Sequence, residues 1–395
     1  MYRFSIFQII VMMVLFSFLS LAAVVFTPAY PILAKEFHLS DADAQWMMTL
    51  FLLGSAVGRL PYGPLANRFG RKRTLLIGLL ISLFGTLITL WGPSYAVLCI
   101  GRFIQAVGCA VTLKIGYTMI GDLYSGAAAT KVLSYAMLIY AILPGIGTAV
   151  SGFLTPEFGW RGGFWFFLLF SFALILSIFS LPETLKVKDS EALRIKKIAS
   201  GYAKQFRNLY LVLWSCLMGL STAVLFIFSQ EAPFVAIDIM GLTPQEYGVY
   251  YLVPAFGIAG GSFLTAWLSD KMAPLDGMLL GIVILLGASM AMGGFFLAGW
   301  KAGWVLFLPQ VLVQLGDAVL YTNASSEGLS EAEDKSNASS VMLFISSLGS
   351  VAGTFLVGVF VPRALLSLPI VFLVITAIMF AIWIKLRTHC KAVKG

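Results

Sequence analysis

The stretch "GPLANRFGRKRTL", residues 63–75, lies between two long apolar runs and holds four of the chain's 26 basic residues. Runs of about 20 apolar residues are long enough to cross a hydrocarbon core of about 30 Å. The stretch is therefore predicted to be a short turn between two membrane helices, in which Gly63, Pro64 and Gly70 allow a tight reversal of the chain. Basic side chains hold such a turn on the inner side of the membrane, and here they are Arg68, Arg71, Lys72 and Arg73.

The rest of the chain has the composition of an integral membrane protein. Hydrophobic residues make up 59% and charged residues 11%, and the mean hydropathy is +0.93, whereas soluble domains carry about 25% charged residues. The runs are continuous, which predicts helices, because barrel strands would alternate in polarity over about ten residues. We expect an all-α membrane protein with twelve transmembrane helices, near 6–28, 44–62, 74–92, 96–120, 132–154, 163–181, 209–231, 246–268, 277–298, 304–326, 337–360 and 366–386.

The distribution of basic residues predicts the orientation of the chain. If the N-terminus is inside, 19 of the 26 basic residues fall in inner segments, four in outer segments and three within the spans. This asymmetry follows the positive-inside rule. It explains the net charge of +8 without a nucleic-acid partner. An even number of helices then places both termini in the cytoplasm, in a multi-pass protein of the inner membrane.

One long polar stretch, 182–208, divides the chain into two halves. We predict an N-terminal six-helix bundle over 1–181, a cytoplasmic linker over 182–208 and a C-terminal six-helix bundle over 209–395. Part of the linker, "LRIKKIASGYAKQF", could form an amphipathic helix on the inner leaflet. The loop after the eighth helix, "TAWLSDKMAPLDG", weakly repeats the loop of 63–75 and contains Asp270. Repeated halves are the usual construction of secondary transporters.

Several kinds of site are not supported by the sequence. Its four cysteines and two histidines have no ligand spacing, so we expect no metal. The chain has no phosphate-binding loop of the G-x-x-x-x-G-K-[ST] type, which argues against ATP as the energy source. We therefore expect no cofactor and no enzymatic activity. The first apolar run lacks a small-residue cleavage site, and we interpret it as a helix of the mature protein.

The loop of residues 63–75 resembles the signature of the major facilitator superfamily, which reads roughly G-x-L-A-D-R-x-G-R-[KR]. The matching positions are Gly63, Leu65, Ala66, Arg68, Gly70, Arg71 and Lys72. The resemblance implies two pseudo-symmetric six-helix bundles around one central cavity. It also implies an aspartate that pairs with the loop arginines and helps to latch the outward-facing state, but Asn67 stands at that position. We expect this uncharged residue to weaken the latch and to favour the inward-open state.

Further motifs resemble the drug:proton antiporters of this superfamily, and among them the bicyclomycin-resistance type. The segment "LCIGRFIQAVG", 98–108, places Arg102 and Gln105 in the fourth-helix pattern. The segments "FGWRGGFWF", "LPET" and "APFVAIDIMGLTPQEYG" resemble that group's connections. The fifth-helix pattern is thin, with Pro144 and Gly147 retained, and the acid usual before the proline of helix one is missing. The predicted gating residues are Gly63, Asn67, Arg68, Gly70, Arg71, Pro144, Gly147 and Asp270.

Ionisable residues within spans cost about 2.5–3.5 kcal/mol on insertion scales, so each is a functional candidate. Arg102 either lines the cavity or pairs helices internally, and Lys114 either lines the cavity, snorkels or forms a buried ion pair. Arg59 is interpreted as structural. Asp317 is the leading proton or cation site, opposite Lys114 in the other half, and Glu231 is either the second candidate or half of a gate pair.

Aromatic residues within the spans suit an amphiphilic substrate, although most such positions pack helices or meet lipid. The candidates are Tyr140, Phe226 and Tyr321. Two functions remain open. The first is proton-coupled export of a drug-like or siderophore-like small molecule. The second is import of an anionic nutrient or metal chelate such as a siderophore, which the cations Arg102 and Lys114 favour. We expect the partners to be the substrate, protons and the lipid bilayer, and the protein to be a monomer.

Overall fold

The computed structural model describes residues 5–124, 126–330, 332 and 335–394 and is helical throughout, with no strand in these ranges. The chain divides into two compact units. The N-terminal unit contains Met1–His38 and Trp46–Ser200, and the C-terminal unit contains Leu39–Gln45 and Gly201–Gly395. The short segment Leu39–Gln45 thus belongs to the C-terminal unit, although it lies within the first half of the chain.

The N-terminal unit contains eight helices in its described residues. They are α1 (Ile6–Val24), α2 (Tyr30–Glu36), α4 (Trp46–Phe69), α5 (Arg71–Trp91), α6 (Tyr95–Cys109), α7 (Val111–Leu123), α8 (Gly126–Phe158) and α9 (Arg161–Ile178). A 3₁₀ turn, Thr27–Ala29, joins α1 to α2, since Pro28 has no backbone N–H with which to continue α1.

The C-terminal unit begins with the short helix α3 (Asp41–Ala44). After α10 (Ile195–Phe206), which crosses the boundary between the units, its helices are α11 (Leu209–Pro233), α12 (Pro244–Tyr250), α13 (Pro254–Leu268), α14 (Pro274–Leu297), α15 (Gly303–Ser330), α16 (Lys335–Phe360) and α17 (Ser367–Lys394). A π-helical segment, Phe234–Ile239, follows α11. The predicted linker thus contains a helix, α10, whose Phe206 ring packs edge-on against Phe344.

Eleven helical segments of the described residues are long and apolar enough to cross a membrane. The twelfth is α4, which is long enough at 24 residues but carries Arg59, Arg68 and two prolines. The expectation of an all-α membrane protein is confirmed. Several spans consist of two helices, as where α6 ends at Cys109 and α7 begins at Val111.

The turn predicted over residues 63–73 is wrong in its extent. The helix α4 continues through Gly63 and Pro64 to Phe69, and α5 begins at Arg71, so Gly70 alone reverses the chain. Gly70 has φ of +105°, a conformation that favours glycine. Prolines are tolerated within membrane helices because neighbouring groups satisfy the freed backbone atoms, so Pro64 did not mark the end of the helix.

Glycines bring the helices of the N-terminal unit into backbone contact. A Cβ on Gly85 of α5 would lie 2.2 Å from the amide nitrogen of Gln105 on α6, and a Cβ on Gly108 would lie 2.2 Å from that of Ser82. A Cβ on Gly54 of α4 would lie 2.3 Å from the carbonyl oxygen of Phe103. Small residues permit such close approach, which is how membrane helices gain van der Waals contact without a hydrophobic driving force.

The C-terminal unit repeats this arrangement. Gly257 and Gly261 of α13 lie 203 residues after Gly54 and Gly58 of α4, and they abut the carbonyl oxygens of Val311 and Leu315 on α15. Gly281 of α14 likewise abuts Gly316 of α15. The second and third spans therefore pack on the fourth through glycines in both units.

We expect Gly85→Ala to destabilise the N-terminal unit by about 1–3 kcal/mol, because the added methyl group meets backbone and not a movable side chain. The matched control is Gly287→Ala on α14, where a Cβ meets nothing within 4 Å; it should be neutral or slightly stabilising. Thermal unfolding in detergent measures both. Equal melting temperatures for the two variants would contradict the close α5–α6 contact.

Candidate functional site

Arg102 of α6 is fully buried in the N-terminal unit. Its guanidinium carbon lies 4.0 Å from the ring centroid of Phe26 and 4.0 Å from that of Phe51. Such stacking on aromatic faces is favourable for a desolvated arginine. The structure records no ion pair of Arg102 with an acidic residue among the described residues. The charge must therefore be compensated by dipoles.

The end of α1 supplies those dipoles. Nη1 of Arg102 donates to the carbonyl oxygen of Ala22 at 2.9 Å, and Nη2 donates to that of Ala23 at 3.5 Å. The next carbonyl, of Val24, accepts from Thr27 at 2.8 Å and from Thr148 at 3.3 Å. The last carbonyls of a helix have no partner within it, and a cation near them interacts favourably with the helix dipole. Arg102 thus caps α1 from a neighbouring helix.

Gln105 extends this arrangement to α5. Its Oε1 accepts a hydrogen bond from Nη1 of Arg102, and its Nε2 donates to Oγ1 of Thr86 at 2.9 Å. Three helices, α1, α5 and α6, are therefore joined by two side chains. This geometry favours the internal helix-to-helix alternative for Arg102 and Gln105 over direct contact with a substrate.

The other candidates of the N-terminal unit lie on α4, α7 and α8. Lys114 of α7 is close to α4, since a Cβ on Gly63 would lie 3.5 Å from its Cε. Tyr140 of α8 lies near Ser20 of α1 and Arg59 of α4. Gly147, also on α8, faces α1, because a Cβ there would lie 2.1 Å from Cδ1 of Leu21.

Asn67 and Arg71 belong to a polar cluster at the junction of α4 and α5. Oδ1 of Asn67 accepts from Nη1 of Arg71 at 2.6 Å. Nε of Arg71 lies 3.3 Å from Oδ2 of Asp122, which also accepts from Thr184 at 2.8 Å. The carboxylate partner of Arg71 is thus Asp122 of α7. Asp122 is not among the residues predicted from the sequence.

Glu183 completes the junction. Its carboxylate accepts from the backbone N–H groups of Arg71 at 2.9 Å and Lys72 at 3.2 Å, the first residues of α5. An acid at a helix N-terminus satisfies free donors and complements the dipole. A Cβ on Gly70 would lie 2.4 Å from Oε2 of Glu183, so this carboxylate is a second reason for glycine there. The "LPET" motif was noticed in the sequence, but not its contact with α5.

In the C-terminal unit, Asp317 of α15 is 8% exposed. Its Oδ1 accepts a hydrogen bond from Oγ of Ser221 on α11 at 2.6 Å. Among the described residues, no other side chain is recorded as bonding or pairing with this carboxylate. Asp317 is therefore a buried acid held by one neutral donor, within a helix that is apolar enough to span a membrane.

A polar row on α15 continues from Asp317. Gln310 and Gln314 precede it by seven and three residues, which places all three on one face of the helix. Gln310 is fully buried, and within the described part of the chain neither of its amide atoms has a hydrogen-bond partner; Nε2 of Gln314 also lacks one. Each unsatisfied buried polar group costs about 1–3 kcal/mol. Neither glutamine is among the residues predicted from the sequence, although their helical spacing to Asp317 is visible there.

The row faces α11. Asp317 contacts Ser221, and further along the same pair of helices the ring of Phe307 packs edge-on against that of Phe228 at 5.8 Å. Gln310 and Gln314 lie between Phe307 and Asp317 in the sequence of α15. Tyr251, which stacks on Phe228 at 6.1 Å, donates to or accepts from Ser229 at 2.6 Å. The seam between α11 and α15 thus passes from aromatic to polar side chains.

Glu231 lies in a separate cluster at the end of α11. Its Oε1 accepts from Nε2 of Gln45 at 2.8 Å, and its Oε2 lies 3.8 Å from Nε of Arg363. The Arg363 guanidinium carbon lies 3.4 Å from the ring centroid of Phe234. The structure thus places Glu231 in an ion pair, in the arrangement expected of its gate-pair alternative, and not beside Asp317.

The remaining candidates are less constrained. Phe226 and Tyr321 are half-buried on α11 and α15, Arg68 is half-buried on α4, and Asp270 is exposed just after α13. Pro144 lies within α8, and its carbonyl oxygen accepts from Thr148 at 2.9 Å. Lys114 and Asp317 belong to different units, so their predicted interaction stays a prediction.

Comparison with known proteins gives a consistent result. A profile described as Major Facilitator Superfamily matches residues 10–354. A bicyclomycin resistance protein homolog of Haemophilus influenzae is 25% identical over 69% of this chain and 73% of its own. The multidrug resistance protein MdtL of Salmonella typhimurium is 24% identical over 87% of this chain and 88% of its own. The fold matches that of the xylose transporter XylE from E. coli with a TM-score of 0.73, at 14% identity over 95% of each chain.

We expect Arg102→Lys to destabilise the protein by about 1.5–3 kcal/mol, the usual value of a hydrogen bond to a charged group, because an ammonium cannot stack between two rings and bond two carbonyls at once. Arg161→Lys is the matched control: Arg161 also lies over a ring, that of Trp160 at 4.1 Å, but its side chain is 45% exposed. Thermal unfolding measures both. A neutral Arg102→Lys would contradict the capping of α1.

Proposed function

The chain belongs to the major facilitator superfamily, and from that premise we propose that it exports a drug-like or siderophore-like small molecule across the inner membrane in exchange for protons. That it is a transporter and not an enzyme follows from the family. Export is supported by its similarity to proteins named for bicyclomycin and multidrug resistance. Proton coupling is the part of the proposal that depends on a particular residue.

Asp317 carries the proposal of proton coupling. A proton site needs a carboxyl group that can exist both protonated and ionised, and burial opposes the ionised form. A fixed ion pair would hold the acid ionised, and Asp317 has Ser221 as its recorded partner where Glu231 has Arg363. A hydroxyl can donate to the carboxylate and accept from the carboxylic acid, so Ser221 is compatible with both states.

The polar row beside Asp317 supports a role for the α11–α15 seam in binding. Gln310 and Gln314 offer donors and acceptors that the described protein does not use. The adjoining rings of Phe228 and Phe307 form the apolar part of the seam and are buried in this structure, so a substrate would reach them only when the seam opens. Aromatic surface with a few placed polar groups is typical of small-molecule sites. We include Phe226 and Tyr321, which are on the same two helices, among the proposed substrate contacts.

The import alternative loses part of its support. It rested on two cations, Arg102 and Lys114, available to an anionic substrate. Nη1 and Nη2 of Arg102 donate to Ala22, Ala23 and Gln105; Nε has no partner among the described residues, but the side chain has no exposed surface. Only Lys114 remains for that role, and we favour export.

We expect Asp317→Asn to abolish uphill transport driven by a proton gradient while downhill counterflow of the same substrate persists. The amide keeps the size and hydrogen bonding of the side chain but cannot exchange a proton. Ethidium and bicyclomycin are the probes, in everted membrane vesicles with an imposed gradient. Asp276→Asn is the matched control, because Asp276 is an exposed acid 3.8 Å from Arg387, and such pairs contribute only about 0–1 kcal/mol.

Normal uphill transport by Asp317→Asn would show that this acid is structural. Glu231 would then be the carboxylate to test. Loss of counterflow as well as uphill transport would instead assign Asp317 to substrate binding, and a wild-type chain that accumulates neither probe would reject these drugs as substrates.

We propose that both termini and the polar segment 182–208 face the cytoplasm, on the basis of the 19 inner and four outer basic residues and the positive-inside rule. A phosphatase that is active only in the periplasm should stay inactive when it is fused after Gly395 and should be active when it is inserted at Gly299, which lies between α14 and α15. The opposite pattern would reverse the orientation.

A further inference from the structure

A cavity of about 340 Å³ lies at the junction between α4 and α5, in a different unit from Asp317. It is lined by three cations, one acid and two apolar side chains: Lys72, Arg73, Lys188, Glu183, Phe69 and Leu76. All six belong to the N-terminal unit. The cations exceed the acid by two, so the cavity is electrically suited to an anion.

The carboxylate of the single acid, Glu183, already accepts hydrogen bonds from the protein backbone. Both oxygens of Glu183 accept backbone hydrogen bonds, from Arg71, Lys72 and Leu185. The structure records no ion pair of Arg73 or Lys188 with a described acidic residue. Nζ of Lys72 donates to the carbonyl oxygen of Phe179 at 2.8 Å and retains two further donors. Three positive groups therefore converge without an anionic partner of their own.

The fold itself does not require these cations. In the pseudo-symmetric unit, the positions 203 residues after Lys72 and Arg73 are Leu275 and Asp276, at the beginning of α14. At the corresponding junction of the C-terminal unit, one apolar and one acidic residue thus occupy the two positions. The geometry of the turn therefore does not require Lys72 and Arg73, which can serve an anion as well as the inner orientation of the loop.

The position of the cavity identifies the ligand class. The helix α5 begins at Arg71 and is apolar enough to span the membrane, so its first turn lies where lipid headgroups are. Phe69 is 42% exposed and, with Leu76, gives the cavity an apolar wall. A phosphodiester that carries acyl chains combines the two chemistries. We propose that this cavity binds the headgroup of an anionic phospholipid, with Arg73 and Lys188 as its principal contacts.

The test compares the thermal stability of the purified full-length protein in detergent with added phosphatidylglycerol or phosphatidylcholine. The variant is Arg73→Gln with Lys188→Gln, both exposed. The control is Lys186→Gln with Arg207→Gln, which removes the same charge from exposed sites outside the cavity. We expect phosphatidylglycerol to raise the melting temperature of the wild type and the control equally, and that of the cavity variant by less than half as much.

Inorganic phosphate is the third addition. If phosphate stabilises the wild type as strongly as phosphatidylglycerol, the site takes a free anion and the lipid proposal is overturned. An equal response of the cavity variant and the control to phosphatidylglycerol would also overturn it, since binding would then be non-specific. Retention of phosphatidylglycerol in native mass spectra, lost in the cavity variant alone, is the expected independent result. None of these readouts depends on transport.

Discussion

A buried backbone carbonyl must find a donor, and the end of α1 has three carbonyls to satisfy where Pro28 prevents the helix from continuing. Arg102 and Thr148 provide the donors. The position of Arg102 depends in turn on Gln105, which the close contact between Gly85 and α6 fixes against Thr86. The fold of the N-terminal unit thus relies on glycine packing, which brings helix backbones into van der Waals contact, and on one arginine, which satisfies polar backbone in an apolar medium.

Much of this architecture could be predicted from the sequence. The length and continuity of the apolar runs indicated membrane helices, and the motif at residues 63–75 indicated the family. The limits of individual helices were harder to predict. Proline within α4 was interpreted as a turn, because a lone sequence does not show which neighbours satisfy the backbone. The break at Ala110, between α6 and α7, has no proline at all and could not be foreseen.

The candidate site was predictable as a set of residues but not as a set of contacts. Ionisable residues within spans were correctly identified as unusual, yet their partners are 80 residues away for Arg102 and 96 residues away for Asp317. No local spacing encodes such distances. Helical periodicity could have added Gln310 and Gln314 to Asp317. The opposite partnering of the two acids, Ser221 for Asp317 and Arg363 for Glu231, required the tertiary structure.

The sequence order of the Arg102 partners bears on how the chain is made. Ala22 and Phe26 are near the first helix, Phe51 is on α4 and Thr86 on α5, so all precede Arg102 as the protein leaves the ribosome. The helix that carries the charge is therefore inserted after the segments that contain the carbonyl acceptors Ala22 and Ala23 and the rings of Phe26 and Phe51. Gln105 follows within one turn of the same helix, and Phe164 of α9, whose ring centroid lies 5.9 Å from the guanidinium carbon, follows later. An arginine is costly to insert into a membrane alone. Here it is synthesised after its backbone acceptors, so those acceptors are available to it when its own helix is inserted.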